Sequence, residues 1–234
     1  MKRILIMAAE QEELDAALAA YKPCEGLLQN AAKVDFMLCG IGMASACYAI
    51  TRKICEAKAA KECYDIAILI GLAGSYCIKD FPIGSVALIE KAYIGDLGFD
   101  TPSGLKTLFD TKVLDSNIFP FKDGALYRKE ADMATEEFLK RFRSASAVTR
   151  QTFTGSPAKK EEMVEKFSSQ IEDMEGAALH FVCQMEKIPF FQLRAVSNEV
   201  GVQDRDKWNG PLALDALKRA MLEYFRMECE ILKQ

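Results

Sequence analysis

Histidine is almost missing from this sequence, which contains one such residue, His180, among 234. A single histidine excludes a multi-histidine metal site, and it leaves no second histidine for a Ser-His-Asp triad elsewhere in the chain. His180 lies in "MEGAALHFVCQM", a segment predicted to be helical. Because histidine is often partly buried in proteins, a structural role is favoured for it.

Long apolar runs and a strong excess of charge are missing as well. No run approaches the roughly 20 residues that span a bilayer, and "MKRILIMAAEQEELD" has no signal-like cleavage region before its acidic cluster. The net charge is −4, and the basic residues form no stripe that would contact nucleic-acid phosphates. We therefore expect a cytoplasmic protein whose partner is a small molecule rather than a nucleic acid or a membrane.

The usual signatures of cofactor sites are also lacking. The eight cysteines include no C-x-x-C pair, and several lie in apolar segments, which is typical of reduced core residues. The segments "GIGMAS" and "GLAGS" fit neither G-x-G-x-x-G nor the phosphate-binding loop, whose lysine is missing. We therefore expect a protein that uses no metal and no organic cofactor.

What the sequence does contain is an alternation of short apolar runs, such as "RILIMAA" and "IAILIGLAG", with helical patterns such as "EELDAALAAY". This alternation is typical of α/β proteins, and half of the residues are apolar, which is enough for one substantial core. We predict a single domain over residues 1–234, with a three-layer αβα fold around a central mixed twisted sheet. The polar middle, from about 95 to 143, keeps several apolar residues and is interpreted as an excursion rather than a linker.

Three predicted strands end in small or polar residues, over Ala8–Glu12, Gly71–Ser75 and Ser197–Gly201. In open α/β sheets, ligands bind outside the carboxyl ends of the strands, so these ends are candidates for one site. The third end, in "FFQLRAVSNEVG", is predicted to break from the strand at Ser197. A turn alone would explain this composition, since Ser and Asn bind their own backbone and Gly tolerates positive φ.

Two acidic residues near predicted helix starts have alternative interpretations. Glu12, in "AAEQEELD", either complements the helix dipole or projects toward the cleft as a general base for water. Glu175, in "DMEGAA", either caps a helix predicted over about Glu175–Glu186 or accepts hydrogen bonds from the two hydroxyls of a ribose. The residues by themselves leave both alternatives open.

Six motifs in order along nearly the whole chain resemble the purine nucleoside phosphorylase and nucleosidase superfamily: "AAEQEE", "CGIGMASA", "GLAGS" with "PIGSVALIE", "FTGS", "DMEGAA" and "FFQLRAVSNEVG". Each is weak alone, and their order and spacing carry the resemblance. It is strongest to the members that hydrolyse N-glycosidic bonds. The resemblance implies the nucleoside phosphorylase-like fold, a purine nucleoside as substrate and a homo-oligomer, for which a dimer is expected.

The resemblance also implies roles for individual residues. Glu12 would activate the attacking water, and Asn198 would stabilise the departing base. The expected substrate-binding residues are a ribose-binding glutamate, a methionine against the sugar, a phenylalanine that stacks on the purine, and residues that line the sugar and base: Glu175, Met174, Phe153, Ala73, Gly74 and Ser197. Trp208, in "GVQDRDKW", either anchors a surface loop or contacts an extension of the substrate.

Asn198 departs from the pattern of the methylthioadenosine nucleosidases, which have an aspartate there. A protonated aspartate can deliver a proton to N7 of adenine and accept from its exocyclic amine. An asparagine instead donates an N–H to the O6 or N7 of a 6-oxopurine, and a wrong base would leave a buried polar group unpaired at about 1–3 kcal/mol. Asn198 therefore predicts hypoxanthine as the base.

Three other functions stay open on the sequence. A methylthioadenosine or adenosylhomocysteine nucleosidase would release adenine, and a 6-oxopurine nucleoside phosphorylase would need phosphate. The first loop contains no arginine to hold that phosphate, so water is the preferred nucleophile. A noncatalytic nucleoside sensor would bind the ligand through Glu175 and Phe153 without turnover.

Overall fold

The computed structural model describes residues 1–29 and 32–231. The strands are β1 (Lys2–Ala8), β2 (Ala32–Leu38), β3 (Ile66–Ser75), β4 (Val86–Ile94), β5 (Gly98–Thr101), β6 (Gly104–Thr107), β7 (Leu126–Tyr127), β8 (Arg143–Thr149), β9 (Ile171–Asp173) and β10 (Phe190–Glu199). The α-helices are α1 (Gln11–Tyr21), α2 (Glu25–Leu28), α3 (Met43–Ala59), α4 (Met133–Leu139), α5 (Pro157–Phe167), α6 (Gly176–Glu186) and α7 (Gly210–Ile231), and a 3-10 helix covers Arg205–Lys207.

Within the described ranges, eight strands form one mixed sheet in the order β10-β4-β8-β9-β3-β1-β2, and β7 pairs with β4. Strand β10 also pairs with β3, so β3, β10, β4, β8 and β9 close into a ring. Strands β1, β3 and β10 are mutually parallel where they pair. Their carboxyl ends therefore meet at one edge, as the sequence predicted for the three small or polar strand ends.

The central strands bury side chains on both faces, which alternate along each strand. In β1, Ile4 and Ile6 belong to a core cluster that also contains residues of α1, α4 and α7. Leu5 and Met7 belong to a second cluster, with residues of α3 and α6. Helices α1, α4 and α7 thus pack in one apolar core, and α3 and α6 pack in the other.

The excursion predicted between about 95 and 143 contains the β5–β6 hairpin, the short strand β7 and helix α4. Helix α6 begins one residue later than predicted. Helix α5 and strand β9 were not anticipated. Helix α5 begins at Pro157 after the capping Ser156, whose hydroxyl accepts from the Lys159 N–H, a common N-terminal arrangement.

The break predicted at Ser197 is wrong, because β10 continues to Glu199. Val196 pairs with Ala73 and Asn198 pairs with Gly74, so Ser197 is an extra residue in the ladder, a β-bulge. The positive φ expected for the glycine of this segment is found at Gly201, where φ is +86°. The polar residues therefore belong to a rigid strand end rather than to a turn.

His180 is fully buried in α6, and its Nδ1–H donates to the Leu126 carbonyl over 3.0 Å. This placement agrees with the structural role favoured from the sequence. The eight cysteines, all of which lie in the described ranges, form no disulfide, and the expectation of core residues fits some of them but not Cys55 and Cys63, which are exposed. Over the residues described, no helix combines the length and apolar character needed to cross a membrane.

Candidate active site

A buried arginine lies at the centre of the candidate site. Arg194, on β10, is 1% exposed, and its guanidinium contacts two carboxylates, with Nε 3.2 Å from Asp173 Oδ2 and Nη2 3.2 Å from Glu175 Oε2. The position of Arg194 depends on Gly71, because a Cβ on Gly71 would lie 2.3 Å from Nη1. Although burial opposes it, the pKa of Arg194 is raised by the negative charges of Asp173, Glu175 and Glu13.

Glu13 is the third carboxylate of this cluster and is 5% exposed. Its Oε1 accepts from the Leu72 N–H over 2.7 Å, and its Oε2 accepts from the Ala9 and Glu10 N–H groups over 3.0 and 3.2 Å. These contacts join the first turn of α1 to β3. Burial raises the pKa of Glu13, and the Arg194 guanidinium opposes this effect.

Glu12 does not project into the cluster as expected, since it is exposed on the first turn of α1. Successive helix residues point about 100° apart, because a turn takes about 3.6 residues, so only one of the two adjacent glutamates can face the sheet. Leu14, Ala17 and Ala20 mark the buried face of α1, and Glu13 lies on it. Two features of the sequence indicate that Glu13 faces the sheet. The apolar residues of α1 are spaced three or four apart on the same face, and Glu13 occupies the third helical position, where an acidic residue commonly caps the helix.

Glu175 lies directly before α6 and is buried. Its Oε1 accepts from the Gly42 N–H over 3.0 Å, while its Oε2 faces Arg194. Gly42 has φ +87°, a conformation that favours glycine, so the loop before α3 can aim its N–H at the carboxylate. Burial raises the pKa of Glu175, again against the effect of Arg194. The neighbouring Met174 is half-buried.

A second set of contacts holds Asp173 in place beside Arg194. Its Oδ1 accepts from the Thr149 hydroxyl over 2.6 Å and from the Gly176 N–H over 3.0 Å, and its Oδ2 accepts from the Gln192 side chain over 2.5 Å. Gly176 is required there, since a Cβ would lie 2.2 Å from Asp173 Oδ2. Strands β8, β9 and β10 therefore fix the guanidinium together.

The bulge in β10 places Ser197 and Asn198 beside β3. The Ser197 hydroxyl lies 2.9 Å from Asn198 Oδ1 and 3.3 Å from the Ala73 carbonyl, and Asn198 Nδ2 donates to the Glu199 carbonyl over 3.2 Å. A Cβ on Gly74 would lie 3.3 Å from Asn198 Nδ2. The same Cβ would lie closer to Val200 Cγ2, at 2.7 Å, so Gly74 leaves room for Val200 first and for the amide second.

The exposed Phe153 and the half-buried Trp208 form an aromatic pair. Their rings are 6.1 Å apart between centroids in an edge-to-face arrangement, and Phe153 is 65% exposed. Trp208 is held by its Nε1–H, which donates to the Val202 carbonyl over 3.2 Å. The loop after β8 and the loop after β10 therefore meet through aromatic rings.

The segment Gly71–Gly74 of β3 connects these groups. Leu72 contacts Glu13 and Arg194 through its backbone, while the next two residues, Ala73 and Gly74, contact Ser197 and Asn198. The structure thus brings Glu175, Ala73, Gly74, Ser197 and Asn198 to one edge of the sheet. Glu13, Arg194 and Asp173 lie there with them, and Glu12 lies outside.

Comparison with known proteins gives matches over most of the chain. The family model of the phosphorylase superfamily matches residues 9–226. The futalosine hydrolase of Thermus thermophilus is 31% identical over 186 residues, which cover 78% of this chain and 76% of that protein. The futalosine hydrolase of Streptomyces coelicolor is 27% identical, with 80% and 76% covered. The structure of a futalosine hydrolase mutant of Helicobacter pylori superposes with a TM-score of 0.74 at 18% identity and covers 98% of this chain and all of that one.

Proposed function

The chain belongs to the phosphorylase superfamily, and within it we propose that the protein is a nucleosidase that hydrolyses the N-glycosidic bond of futalosine. The products are hypoxanthine and dehypoxanthinyl futalosine, in menaquinone biosynthesis through futalosine. The similarity to two futalosine hydrolases supports this substrate. The single structural observation that carries the proposal is the buried amide of Asn198, which a 6-oxopurine can pair with.

We assign the role of general base to Glu13 in place of Glu12. Glu13 is buried beside Arg194, and the Leu72 N–H fixes the orientation of its carboxylate. A carboxylate whose pKa is raised by burial is a better proton acceptor for a water molecule than an exposed one. Arg194 limits the cost of burying this charge and keeps the carboxylate in place.

The bond-breaking step places positive charge on the ribose and negative charge on the leaving base. Glu175, with one oxygen on the Gly42 N–H and the other facing Arg194, would accept hydrogen bonds from the ribose hydroxyls. Asn198 would stabilise the departing base, since electrostatic stabilisation of developing charge is commonly the largest catalytic effect. Water then attacks the sugar as Glu13 takes its proton, and the base anion takes up a proton from solvent to leave as hypoxanthine.

The orientation of the Asn198 amide favours a base that accepts a hydrogen bond. Its oxygen is engaged by the Ser197 hydroxyl, and one N–H is engaged by the Glu199 carbonyl. The second N–H is a donor that neither contact uses, and O6 and N7 of hypoxanthine are acceptors. The remaining contacts to sugar, base and 5′ extension are assigned to Ala73, Gly74, Met174, Phe153 and Trp208.

Water is favoured over phosphate as the nucleophile by the charge of the cluster. Three carboxylates, of Glu13, Asp173 and Glu175, surround the single guanidinium of Arg194. A phosphate dianion at this place would be repelled, because like unit charges at about 4 Å interact by about 1–4 kcal/mol. The negative charge of the cluster therefore favours a hydrolase over a phosphorylase.

The proposal also includes the expectations from the sequence about domain organisation, fold layers, cellular location and assembly. We infer a single catalytic domain over residues 1–234 and a three-layer αβα arrangement, which the separate apolar clusters on the two faces of β1 support. The protein is taken to act in the cytoplasm as a homodimer without a cofactor.

The test is incubation of the protein with futalosine, inosine, methylthioadenosine and the 6-amino analogue of futalosine, each with and without phosphate. The released base is identified by chromatography. We expect hypoxanthine from futalosine at a rate that does not depend on phosphate. Release of base only with phosphate would replace the hydrolase by a phosphorylase, and binding without any release would indicate a sensor.

A further inference from the structure

Glu172, on β9, is a second buried acid that the proposed reaction does not use. It is 6% exposed and lies next to Asp173 in sequence, but its carboxylate contacts a different set of donors. Its Oε1 accepts from the Thr154 N–H over 3.0 Å, and its Oε2 accepts from the hydroxyls of Tyr76 and Thr154. Two of these three donors belong to Thr154, the residue that follows Phe153.

Thr154 also connects the loop after β8 to the loop after β10. Its hydroxyl accepts from Arg150 Nη1 over 2.7 Å, and its carbonyl accepts from the Gly201 N–H over 3.1 Å. One residue further, the Gly155 carbonyl accepts from the Gln203 side chain over 2.7 Å. The two loops that carry Phe153 and Trp208 are therefore attached to each other and, through Thr154, to Glu172.

Burying a carboxylate in this place is unfavourable unless its hydrogen bonds compensate for lost hydration. The donors to Glu172 are two hydroxyls and a backbone N–H rather than a basic side chain. Replacing buried charged groups by apolar residues of similar size often leaves the stability of the fold unchanged or raises it. The stability of the fold therefore does not explain why position 172 carries a carboxylate. What it specifies is the conformation of Thr154, because Oε1 accepts from the backbone N–H of that residue and Oε2 accepts from its hydroxyl.

We propose that Glu172 is a positioning residue for the purine: through Thr154 it fixes the loop that holds Phe153 in place to stack on the base. This role rests on the proposed function for the identity of the ligand. The anchoring of the loop by Glu172 does not depend on that identity.

The expected effect on kinetics follows from a contact that stabilises the bound substrate and the transition state equally. Stacking on an aromatic ring contributes to the binding of substrate and transition state alike, so its loss raises KM while kcat is kept. Loss of the Glu172 anchor weakens this stacking, and we expect KM for futalosine to rise roughly tenfold, within the range that base stacking supplies. The kcat is expected to stay within about twofold.

The experiment compares four variants with the wild-type protein. Glu172→Met removes the carboxylate, and Thr154→Val removes one of the two hydrogen bonds from Thr154 with little change in volume. Glu172→Gln can rescue the contacts, since its oxygen can accept from the Thr154 N–H while its amide donates to the two hydroxyls. Glu228→Met is the matched control, because Glu228 is a carboxylate only 4% exposed that contacts Lys2 in another part of the structure.

Two readouts separate positioning from general destabilisation: the kcat and KM for futalosine, and the fluorescence of Trp208, which is the one tryptophan of the chain. In Glu172→Met we expect a raised KM and a shift of the Trp208 emission to longer wavelength, because Phe153 no longer covers the indole ring. Thr154→Val should show the same changes to a smaller extent. Glu172→Gln should lie close to wild type, and Glu228→Met should show neither change.

An unchanged KM and unchanged emission in folded Glu172→Met or Thr154→Val would overturn the proposal, as would equal changes in Glu228→Met. If Glu172→Met does not fold, Thr154→Val and Glu172→Gln decide by the same readouts. If the wild-type protein does not hydrolyse futalosine, the proposed function fails separately. The emission of Trp208 in the ligand-free variants then still decides whether Glu172 holds the loop.

Discussion

At the scale of single residues, Arg194 determines how the acids of the site are arranged. One guanidinium lies among three carboxylates, and the pKa values of Glu13 and Glu175 are raised because both side chains are buried. Burial of this kind disfavours the charged form, and active sites are where such shifts concentrate. These shifts support the roles proposed for Glu13 and Glu175 in the handling of protons and hydroxyl groups.

The choice between two adjacent glutamates is tested by the same substitution at each. Glu13→Gln is expected to lower turnover of futalosine by about 10² to 10⁴, the usual contribution of a general base. Glu12→Gln is expected to leave kcat within about twofold of wild type, because Glu12 is exposed on α1. Both variants are measured at saturating substrate after circular dichroism has shown that they fold. Loss of activity in Glu12→Gln with retention in Glu13→Gln would reverse the assignment.

The specificity for a 6-oxopurine is tested at Asn198. Asn198→Asp is expected to shift the ratio of kcat/KM from futalosine toward its 6-amino analogue by roughly tenfold or more, since one mispaired buried group costs about 1–3 kcal/mol. An ionised aspartate repels O6, whereas a protonated one donates to N7 and accepts from the exocyclic amine.

Asn209→Asp is the matched control for Asn198→Asp. Asn209 is exposed, and its backbone N–H donates to the Ser197 carbonyl over 2.8 Å, so the same change in charge is made close by without altering the amide assigned to the base. An equal shift in both variants, or no shift in Asn198→Asp, would remove Asn198 from base recognition.

The sequence located the acidic motif, and within it the structure places Glu13 rather than Glu12 in the buried cluster. Residue types and their spacing to other motifs pointed to "AAEQEE", whereas the choice within it depends on the rotation of α1 against the sheet. That rotation is set by Leu14, Ala17 and Ala20, which pack into the core. Ser197 and Asn198 were predicted as site residues for their chemistry, while the bulge that brings both beside β3 depends on strand pairing.

At the scale of elements, the carboxyl end of β3 is the part of the sheet on which the site depends most. Its backbone approaches the Arg194 guanidinium so closely that only a glycine fits at position 71, and the next residue donates to Glu13. A side chain at Gly71 would collide with a buried group that has no room to move. The glycine is therefore required by a side chain of the neighbouring strand rather than by its own backbone conformation.

Gly71→Ala is expected to displace Arg194 and to destabilise the fold by roughly 1–3 kcal/mol, the usual cost of overpacking. Turnover should fall about 10²-fold or more, as expected when a site is displaced by about 1 Å. Both are measured, by urea unfolding and by hydrolysis of futalosine.

Gly26→Ala in α2 is the control, since a Cβ there meets nothing within 4 Å. It should keep its activity and gain up to about 1 kcal/mol, because alanine is the better helix former. Equal behaviour of the two alanine variants would contradict the role given to Gly71.

The alternation of helices and strands was predictable because it depends on local apolar patterns. Strand β9 has only three residues, and helix α5 carries consecutive charged residues at Lys159, Lys160, Glu161 and Glu162, so local patterns gave little signal for either. The pairing of β10 with both β3 and β4 depends on contacts between segments far apart in sequence. The short β9 nonetheless carries both Glu172 and Asp173.

At the scale of the whole molecule, the one histidine links stability to pH. His180 is fully buried in α6, its ring is 4.7 Å from that of Phe190, and burial lowers its pKa to about 4. The unfolded chain binds a proton at His180 below about pH 6.5, whereas the folded chain stays neutral there until about pH 4. The unfolded state is therefore favoured as the pH falls through this window.

We expect the free energy of unfolding to fall by roughly 3 kcal/mol from this residue between pH 6.5 and about 4. Glu13 and Glu175 act in the opposite direction, since carboxylates with raised pKa values stabilise the folded state as the pH falls through those values. The contribution of His180 is isolated by His180→Asn, whose amide can donate to the Leu126 carbonyl and does not titrate. Urea unfolding at a series of pH values should give a flatter acid dependence for the variant. Parallel curves for the two proteins would contradict the assignment to His180.

The bulge at Ser197 has a consequence for how enzymes of this shape diversify. The change in strand register occurs at Ser197, and the next residue, Asn198, pairs with Gly74 through its backbone. This pairing does not depend on which side chain position 198 carries. With the role in base recognition that is proposed for Asn198, selection on the nucleobase can exchange that side chain while selection on folding acts on the strand. A lineage can drift from one purine to another at this position and inherit the rest of the architecture unchanged.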